Sequence, residues 1–370
     1  MDSLAALAPA EWDGLFPGDP EGWAFYRAVE EAGPPDFAWR YVLLERSGEI
    51  IAAAPAFVTP YRLDTTAQGP LRRATDQLAR LLPSVMTLRL AALGSPVAEG
   101  CHLGFAPSVA VDERAALLDA LLDAFEAMAE RESCALRGVK DATGRDRALW
   151  DSVLEPRGYT RLPALPTGVL DLPEGGVEGY WKTLGRATRK DIRRKLRARD
   201  ALRVEVRDRI DDLTEAVGAL YDQTVARSEL TFEHLPAAYF AAVLRWMPNA
   251  KAVLYWQGER LVAFNFVIET QDRLVDKYIG MDYAVARDLN LYFVSWMTNV
   301  EACVERGVPV YQSGQAFYGP KVRLGCRLSP NWMYFRHRNF AVNLMLRGVA
   351  RLVRLDRFDP EIARLVGDTA

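Results

Sequence analysis

One order of predicted elements occurs twice along the chain, about 200 residues apart, and this repeat restricts the fold more than any other feature. Each copy has a hairpin, a further strand, a long helix and a closing strand. The first copy places them at 41–58, 88–94, 113–133 and 134–141, and the second copy at 251–269, 274–282, 289–307 and 308–314. Because parallel strands need a crossover connection, usually a helix, this order indicates a mixed sheet with helices against it. We therefore predict an α/β fold of two tandem domains, each with a mixed central β-sheet flanked by helices.

A segment rich in Pro, Glu and Gly separates the two copies at residues 171–181, and its composition marks a linker or a sharp turn. A chain of 370 residues also exceeds what one hydrophobic core usually holds. We place an N-terminal domain at 1–172 and a C-terminal domain with the candidate active site at 173–340. An amphipathic helix or tail is expected at 341–370.

The stretch 336–358 is basic, and its apolar residues recur at helical spacing. These residues are Phe340, Leu344, Met345, Val349, Leu352 and Val353. Such a helix either lies on a membrane surface or covers an exposed sheet, and we favour the second interpretation. Peripheral membrane contact stays open as the alternative.

The overall composition excludes several classes of protein. The net charge of −3 argues against a general nucleic-acid coat, and no apolar run is long enough to span a bilayer. The N-terminal residues lack the pattern of a secretory signal, and the cysteines are scattered, which indicates a reduced, cytoplasmic protein. The histidines are far apart and no G-x-S-x-G motif occurs, so we expect neither a metal site nor a hydrolase triad.

The strand at 274–282 carries polar side chains towards its end, where open α/β sheets bind ligands. Strand alternation places Asp276, Tyr278 and Asp282 on one face, with Lys277 on the other. A carboxylate or a phenol on a face that lines a crevice is suited to accept a proton from an attacking amine. The alternative is structural, since acids at strand ends often cap turns or pair with arginines.

After the closing strand of the second copy, a loop bounded by glycines carries Tyr318, Lys321 and Arg323 towards the same crevice. Two cations and a phenol suit a phosphate-bearing donor, because a fixed cation stabilises developing negative charge. Arg323 is either a phosphate ligand or a salt-bridge partner. Lys321 is otherwise a surface lysine that follows a turn.

Three further residues near this crevice are candidates for substrate or donor contacts. Gly314 allows its backbone to approach a ligand closely, and Gln315 can both donate and accept hydrogen bonds. Tyr292, like Tyr318, is a candidate hydroxyl donor. The alternatives are an ordinary strand-to-loop turn for the first two residues and burial in the core for the tyrosines.

The segment from Lys182 to Arg203 contains ten basic residues against two acidic ones. Five of the basic residues recur at spacings of three and four, so they share one face of a helix. They are Arg186, Arg189, Lys190, Arg193 and Arg197. A cationic face attracts the phosphate groups of a nucleotide, a tRNA arm or an anionic lipid. We expect no DNA partner, because no stacking aromatics alternate with the charges. A solvated face is the alternative.

Three segments resemble the GNAT acyltransferases, and the pairing of two such domains resembles the FemA/FemB/FemX-like branch of tandem GNAT proteins in peptidoglycan biosynthesis. Residues 305–330 resemble the closing motif of that branch, 181–200 resemble its basic helix, and 154–162 resemble the GNAT pattern of a helix that runs into Gly-Tyr and a last strand. The resemblance implies that Lys321 takes the place of the branch's conserved lysine, which neutralises phosphate charge and supports the leaving group.

The Q/R-x-x-G-x-G/A loop of acyl-CoA-dependent GNAT enzymes is matched neither at 94–100 nor at 281–290. The donor therefore stays open between acyl-CoA and aminoacyl-tRNA. The resemblance implies an N-acyltransferase that moves an acyl or aminoacyl group from such a donor to an amine of a small molecule or peptide, with no permanently bound cofactor. Direct transfer is the simplest mechanism, because no activated Cys or Ser is evident. The alternative hypothesis is a non-catalytic binding protein for an anionic metabolite, lipid or carrier.

Overall fold

The computed structural model describes residues 1–62, 87–228 and 232–350, which form two mixed β-sheets with helices against them. The strands are β1 (Ala38–Arg46), β2 (Glu49–Arg62), β3 (Thr87–Leu93), β4 (Gly104–Phe105), β5 (Leu136–Thr143), β6 (Thr160–Pro163), β7 (Thr167–Asp171), β8 (Arg203–Arg207), β9 (Ala250–Gln257), β10 (Arg260–Glu269), β11 (Arg273–Met281), β12 (Val310–Gly314), β13 (Arg327–Ser329) and β14 (Asn331–His337). The α-helices are α1 (Pro9–Asp13), α2 (Trp23–Ala32), α3 (Arg114–Arg131), α4 (Arg147–Leu154), α5 (Gly176–Thr183), α6 (Arg186–Lys195), α7 (Thr214–Val225), α8 (Ala237–Trp246), α9 (Leu291–Arg306), α10 (Tyr318–Arg323) and α11 (Phe340–Ala350).

The repeated order predicted from the sequence is present in both sheets. The hairpins β1–β2 and β9–β10 pair antiparallel, and the helices α3 and α9 each join two parallel strands, β3 to β5 and β11 to β12. The helix α3 buries an apolar stripe that includes Leu118, Leu121 and Phe125, as a helix packed on a sheet must. The predicted α/β class is therefore confirmed.

The two sheets exchange strands. The first sheet has the order β1-β2-β3-β5-β14-β6, so a strand from the end of the chain lies between two strands of the first half. The second sheet has the order β13-β7-β12-β11-β10-β9-β8, so β7 from before residue 172 lies in the second half. The domain boundary at residue 172 stays a prediction. We call 1–172 and 173–340 the first and second half, and each half completes the other's sheet.

A shared hydrophobic core also joins the halves. Helix α2 of the first half packs along α8 of the second half. Buried aromatic side chains of the first half, Trp12, Phe25 and Tyr26, belong to the same cluster as Phe240 and Phe264 of the second. Burial of each such side chain stabilises the fold by about 1.5–3 kcal/mol, because its apolar surface is removed from water. The two halves therefore share one hydrophobic cluster.

A β-bulge interrupts β11. Phe266 of β10 pairs with Tyr278 and the next residue, Val267, pairs with Asp276, so Lys277 is an extra residue without a cross-strand partner. A bulge reverses the in–out alternation of a strand on either side of it. Asp276 and Tyr278 consequently point to opposite faces of the second sheet, and the predicted common face is wrong.

The strands β11 and β12 pair only at their beginnings. Parallel pairing joins Arg273, Leu274 and Val275 to residues 310–312, and β11 then continues to Met281 without β12 beside it. The strands thus diverge after Val275, and the first residue past the divergence on β11 is Asp276. The crossover geometry predicts a ligand crevice at such a divergence of strands.

Helix α11 is present, but its orientation differs from the prediction. Phe340, Leu344 and Met345 are exposed instead of covering a sheet. Asn343 is buried in their place, where its side chain accepts a hydrogen bond from the backbone N–H of His337 and donates one to a backbone carbonyl of the first half. The side chain of Val349 and residues 351–370, which include Leu352 and Val353, lie outside the described part of the chain. Within the described residues, no helix combines the length and apolar character of a membrane span.

Candidate active site

Asp276 lies at the divergence of β11 and β12, and neutral donors hold its carboxylate. Asn265 Nδ2 donates to both carboxylate oxygens, at 2.9 and 3.1 Å. Asn299 Nδ2 donates to Oδ2 at 3.0 Å, and the Tyr311 hydroxyl donates to the same oxygen at 2.8 Å. These donors come from β10, α9 and β12, so three separate elements fix the orientation of one half-buried carboxylate.

The surroundings of Asp276 raise the pKa of its carboxyl group towards neutral pH. Burial raises the pKa of Asp276 to about 6, although hydrogen bonds from Asn265 and Tyr311 stabilise the charged form and limit the rise. A carboxylate with such a pKa is ionised at neutral pH and still basic enough to take a proton. The Oδ1 atom of Asn265 is buried beside it without a hydrogen-bond partner in the described residues. The expected proton acceptor therefore occupies a suitable position.

Lys321 is buried, so it is not the surface lysine of the structural alternative. Residues 318–323 form the short helix α10, and Lys321 is only 4% exposed. Its ammonium donates to the backbone carbonyls of Ser313 at 2.6 Å, Gly314 at 2.9 Å and Gln315 at 3.4 Å. An ammonium group has three N–H donors, and these carbonyls engage all of them. Lys321 thus fixes the end of β12 in this conformation, and burial lowers its pKa.

The two candidate hydroxyl donors, Tyr318 and Tyr292, differ in their hydrogen bonding. The Tyr318 hydroxyl is buried and donates to the carbonyl of Pro166 at 2.9 Å. The Tyr292 hydroxyl is buried without a partner among the described residues. Burial and the neighbouring charge of Asp276 raise the pKa of Tyr292 well above its ordinary value, so this phenol stays protonated. Tyr292 therefore keeps a hydroxyl proton that can be donated in a hydrogen bond.

Tyr278 faces away from Asp276, because of the bulge. Its ring contacts those of Tyr221, Tyr239 and Phe240 edge-on, in the core that the halves share. Its hydroxyl donates to the carbonyl of Val97 in the first half at 3.3 Å. Burial raises the pKa of Tyr278 far above its ordinary value, which is unsuited to accepting a proton. The position of Tyr278 favours a role in joining the halves.

Asp282 agrees with the structural alternative. It is 5% exposed and forms an ion pair with Arg260 of the preceding hairpin. Its Oδ1 accepts a hydrogen bond from the backbone N–H of Ala284 at 3.0 Å, which caps the turn before α9. Both carboxylate oxygens of Asp282 therefore serve local structure. The bulge at Lys277 separates Asp282 from Asp276 along β11.

Gly314 and Gln315 meet a residue that the sequence analysis missed, Glu99. Gln315 Nε2 donates to the backbone carbonyl of Glu99 at 3.4 Å, and Gln312 Nε2 donates to its carboxylate at 2.9 Å. Gly314 has a φ of +77°, and a Cβ atom there would lie 2.7 Å from Glu99 Oε1. Glu99 belongs to the loop 94–100 of the first half, and no local sequence pattern predicts that this loop lies beside β12.

A second missed cluster lies beside the bulge. The Lys277 ammonium, on a side chain that is 3% exposed, forms an ion pair with Glu21 of the first half. His102 Nε2 lies 3.4 Å from Glu21 Oε2 and 3.3 Å from Asp19 Oδ2. Burial opposes ionisation of Glu21, but Lys277 and His102 outweigh it and lower the pKa of Glu21 to about 2. No local sequence pattern connects these residues, which are more than 250 positions apart at the extremes.

The predicted basic face is present on α6. Arg189 donates to the carbonyl of Trp181 at 3.2 Å, and the Arg193 guanidinium lies 5.4 Å from the ring centroid of the same tryptophan. Within the described residues, the exposed side chains of Arg186, Lys190 and Arg197 form no ion pair. A concentration of uncompensated cations favours an anionic partner over a merely solvated face.

Arg323 joins this basic region to the beginning of α9. Its guanidinium lies 3.5 Å from Asp191 on α6 and 6.0 Å from the ring centroid of Phe293. The Lys195 ammonium lies 3.6 Å from the same ring centroid. Phe293 is in the first turn of α9, at the positive end of the helix dipole. The candidate salt bridge of Arg323 is therefore present, and the region as a whole remains positively charged.

Comparison with known proteins gives a family for part of the chain and a fold for nearly all of it. Residues 186–319 match the model of the acetyltransferase (GNAT) domain. FemX has a similar structure, with a TM-score of 0.57 and 12% identity over 88% of this chain and 93% of FemX. L-PGS from Bacillus licheniformis has a TM-score of 0.51 and 12% identity, covering 91% of this chain and 97% of L-PGS. No curated protein matches the sequence.

A further similar structure is the C-terminal domain of a putative lysylphosphatidylglycerol synthetase from Agrobacterium fabrum. Its TM-score is 0.53 at 12% identity, with 90% of this chain and 91% of that domain covered. At such low identity these structures establish the fold alone, whereas the matched segment 186–319 contains Asp276 and the divergence of β11 and β12. The chain therefore contains a segment that matches the acetyltransferase (GNAT) domain, within a fold similar to that of FemX.

Proposed function

We propose that the protein transfers an acyl or aminoacyl group from an activated donor to an amine of a small molecule or peptide, with Asp276 as the proton acceptor. One observation carries this proposal: the carboxylate of Asp276 lies where β11 and β12 diverge, oriented by Asn265, Asn299 and Tyr311. Its pKa of about 6 lets it remain ionised at neutral pH and accept a proton from an amine that attacks.

In the proposed reaction the amine nitrogen forms a bond to the carbonyl carbon of the donor. The bond from that carbon to the thioester sulfur or ester oxygen breaks, and the leaving group takes its electron pair. Asp276 receives the proton of the amine and returns it to the leaving group, while the Tyr292 hydroxyl, which is buried without a partner in the described residues, donates a hydrogen bond to that group. No covalent enzyme intermediate is needed, because the amine attacks the donor directly.

The donor is proposed to lie with its phosphate groups against the basic region of α6 and the first turn of α9. Arg323 and Lys195 lie around Phe293 there, and the N-terminus of a helix attracts anions. Arg189 and Arg193 line the adjoining part of α6. Both acyl-CoA and aminoacyl-tRNA carry phosphate, so this region accommodates either donor. The match to an acetyltransferase domain supports the first, and the similarity to FemX and a lysylphosphatidylglycerol synthetase supports the second.

Lys321 has an indirect role in this proposal. Its ammonium holds the carbonyls of Ser313, Gly314 and Gln315, and so fixes the end of β12 opposite Asp276. Its positive charge still stabilises negative charge that develops on the donor, since it lies in a region of low dielectric constant. Tyr318 supports this arrangement from the same short helix through its hydrogen bond to Pro166.

The test compares Asp276→Asn with Glu259→Gln, a control in the exposed turn of the β9–β10 hairpin. Both variants and the wild type are incubated with labelled acyl-CoAs or charged tRNAs and a panel of amines, and the amide product is measured by mass spectrometry. We expect Asp276→Asn to lower turnover by about 100-fold or more, as loss of a general base does, and Glu259→Gln to match the wild type.

Full turnover by a folded Asp276→Asn variant would contradict the role of Asp276. A wild-type protein that binds CoA or tRNA but forms amide with no donor of either class would instead support the rival hypothesis of a non-catalytic binding protein. Thermal melting distinguishes a ligand that binds the native state from one that does not, because such a ligand raises the melting temperature.

A further inference from the structure

The loop 94–100 of the first half lies against β11 and the end of β12 in the second half. The carbonyl of Val97 accepts a hydrogen bond from Tyr278 of β11, and Glu99 accepts hydrogen bonds from Gln312 and Gln315 at the end of β12. The first half therefore does more than support the second half from outside, because it places a carboxylate beside the strand ends.

The Glu99 carboxylate occupies space that a side chain at position 314 would fill, and residue 314 is a glycine. Gly314 adopts a φ of +77°, and any Cβ atom there would come within 2.7 Å of Glu99 Oε1. The same Cβ position lies 3.4 Å from the backbone carbonyl of Asp276. Glu99 and Asp276 thus approach the end of β12 from the two halves, with Gly314 between them.

These two acids differ from the other acids at the junction of the halves. Glu21 forms an ion pair with Lys277, and Asp141 forms one with Lys140. Within the described residues, neither Glu99 nor Asp276 has a cationic nitrogen within 4.0 Å. In the described part of the chain, the donor to the Glu99 carboxylate is the neutral side chain of Gln312.

The cations that influence Glu99 from further away are already engaged. Lys277 is paired with Glu21, and the three N–H donors of Lys321 are held by backbone carbonyls. A half-buried carboxylate without a cationic partner is unfavourable, and burial raises the pKa of Glu99 accordingly. A positively charged group from a substrate would relieve this cost.

We propose that Glu99 binds a second ammonium group of the acceptor, so that the preferred acceptor carries two amino groups rather than one. The reacting amine lies at Asp276 and the second ammonium lies at Glu99, across Gly314. This inference rests on the proposed function, since it assigns the reacting amine to Asp276. It makes the first half the part of the chain that selects the acceptor.

Binding measurements test this without relying on turnover. Isothermal titration at pH 8 compares 1,5-diaminopentane with pentylamine, and further diamines of three to six carbons, against wild type, Glu99→Gln and the exposed control Glu259→Gln. We expect wild type and the control to bind the best diamine at least 10-fold more tightly than pentylamine. Glu99→Gln is expected to bind both equally, with pentylamine affinity unchanged.

A second variant, Glu99→Asp, keeps the charge on a shorter side chain. We expect it to retain the preference for diamines but to favour a chain about one methylene longer, a shift that a purely structural role of Glu99 does not produce. Equal binding of diamine and monoamine by the wild type, or an unchanged diamine preference in Glu99→Gln, would overturn the inference. Failure of amide formation with every donor would overturn the proposed function instead, because the titration contains no donor.

Discussion

The Lys277 ammonium of the second half and the Glu21 carboxylate of the first half form a buried ion pair, with side chains 3% and 7% exposed. Lys277 is the bulged residue of β11, directly after Asp276. The pair therefore holds the bulge that points Asp276 into the crevice, and it makes the position of the candidate base depend on the first half.

Removal of one partner of this pair is expected to destabilise the fold. Lys277→Met leaves Glu21 buried without its main counter-charge, which lowers the free energy of unfolding by about 3–5 kcal/mol. The double variant Lys277→Met/Glu21→Gln removes the uncompensated charge and should recover most of the loss. Arg306→Met, which breaks an exposed ion pair with Glu269, serves as a control with an effect below about 1 kcal/mol. Urea unfolding measures all three, and a mild effect of Lys277→Met alone would contradict the importance of the pair.

The same pair predicts the response of the fold to acid. The pKa of Glu21 falls from its ordinary value of 4.5 to about 2 in the folded protein. Its stabilising contribution is therefore complete above pH 4.5 and is lost as the pH falls towards 2. Urea unfolding of the wild type at several pH values should show this decline, and Glu21→Gln should lack that part of it. Parallel pH curves for both proteins would speak against the assignment.

The rate of acyl transfer is expected to rise with pH through the pKa of Asp276. Because the ionised carboxylate is the proposed base and its pKa is about 6, kcat/KM should increase tenfold per pH unit below 6 and level off above it. Asn299→Asp places a second acid against Asp276, so it should move the inflection upwards. A flat profile from pH 5 to 8 would exclude Asp276 as the base.

The two tyrosines are expected to respond differently to loss of the hydroxyl. Tyr292→Phe should lower turnover while leaving stability unchanged or higher, since the hydroxyl is buried without a partner in the described residues. Tyr318→Phe removes the hydrogen bond to Pro166 and should lower stability by about 1 kcal/mol. Paired kinetic and thermal measurements separate the two effects. Wild-type turnover by Tyr292→Phe would remove this residue from the proposed mechanism.

Gly314→Ala should lower turnover more than the same change at Gly258, another glycine with a positive φ. Both Gly314 and Gly258 are left-handed, so each alanine variant carries strain of about 1–2 kcal/mol. Only at Gly314 does the added Cβ atom meet Glu99, at 2.7 Å, whereas nothing lies within 4 Å of the position at Gly258. We expect equal losses of stability within about 1 kcal/mol but a loss of turnover for Gly314→Ala alone. Equal turnover of the two variants would argue against a crevice at Gly314.

Local pattern was sufficient to predict the repeated elements of this fold. The alternation and turn residues of the hairpins, such as Ser47-Gly48, and the apolar stripe of α3 depend on neighbours in the sequence. The position of Asp276 on the central strand followed from the same kind of argument. Its role as a base remains a proposal, and the structure places it where the pairing of β11 and β12 ends.

The errors arose where one residue or one distant segment changes the geometry. A single extra residue, Lys277, turns Tyr278 away from Asp276, and simple alternation takes no account of a bulge. Lys321 is buried because distant backbone carbonyls at the end of β12 accept its hydrogen bonds. Glu99 and Glu21 reach the site only through the packing of one half on the other, and no motif near either residue indicates this.

The exchange of strands has a consequence for synthesis on the ribosome. The first sheet needs β14 between β5 and β6, and β14 ends at His337 of a chain of 370 residues. Until that segment emerges, two strands translated much earlier expose unpaired edges, which are sites of aggregation. A truncated chain that ends before Asn331 is therefore left with an open slot in its N-terminal part, even though every N-terminal residue is present.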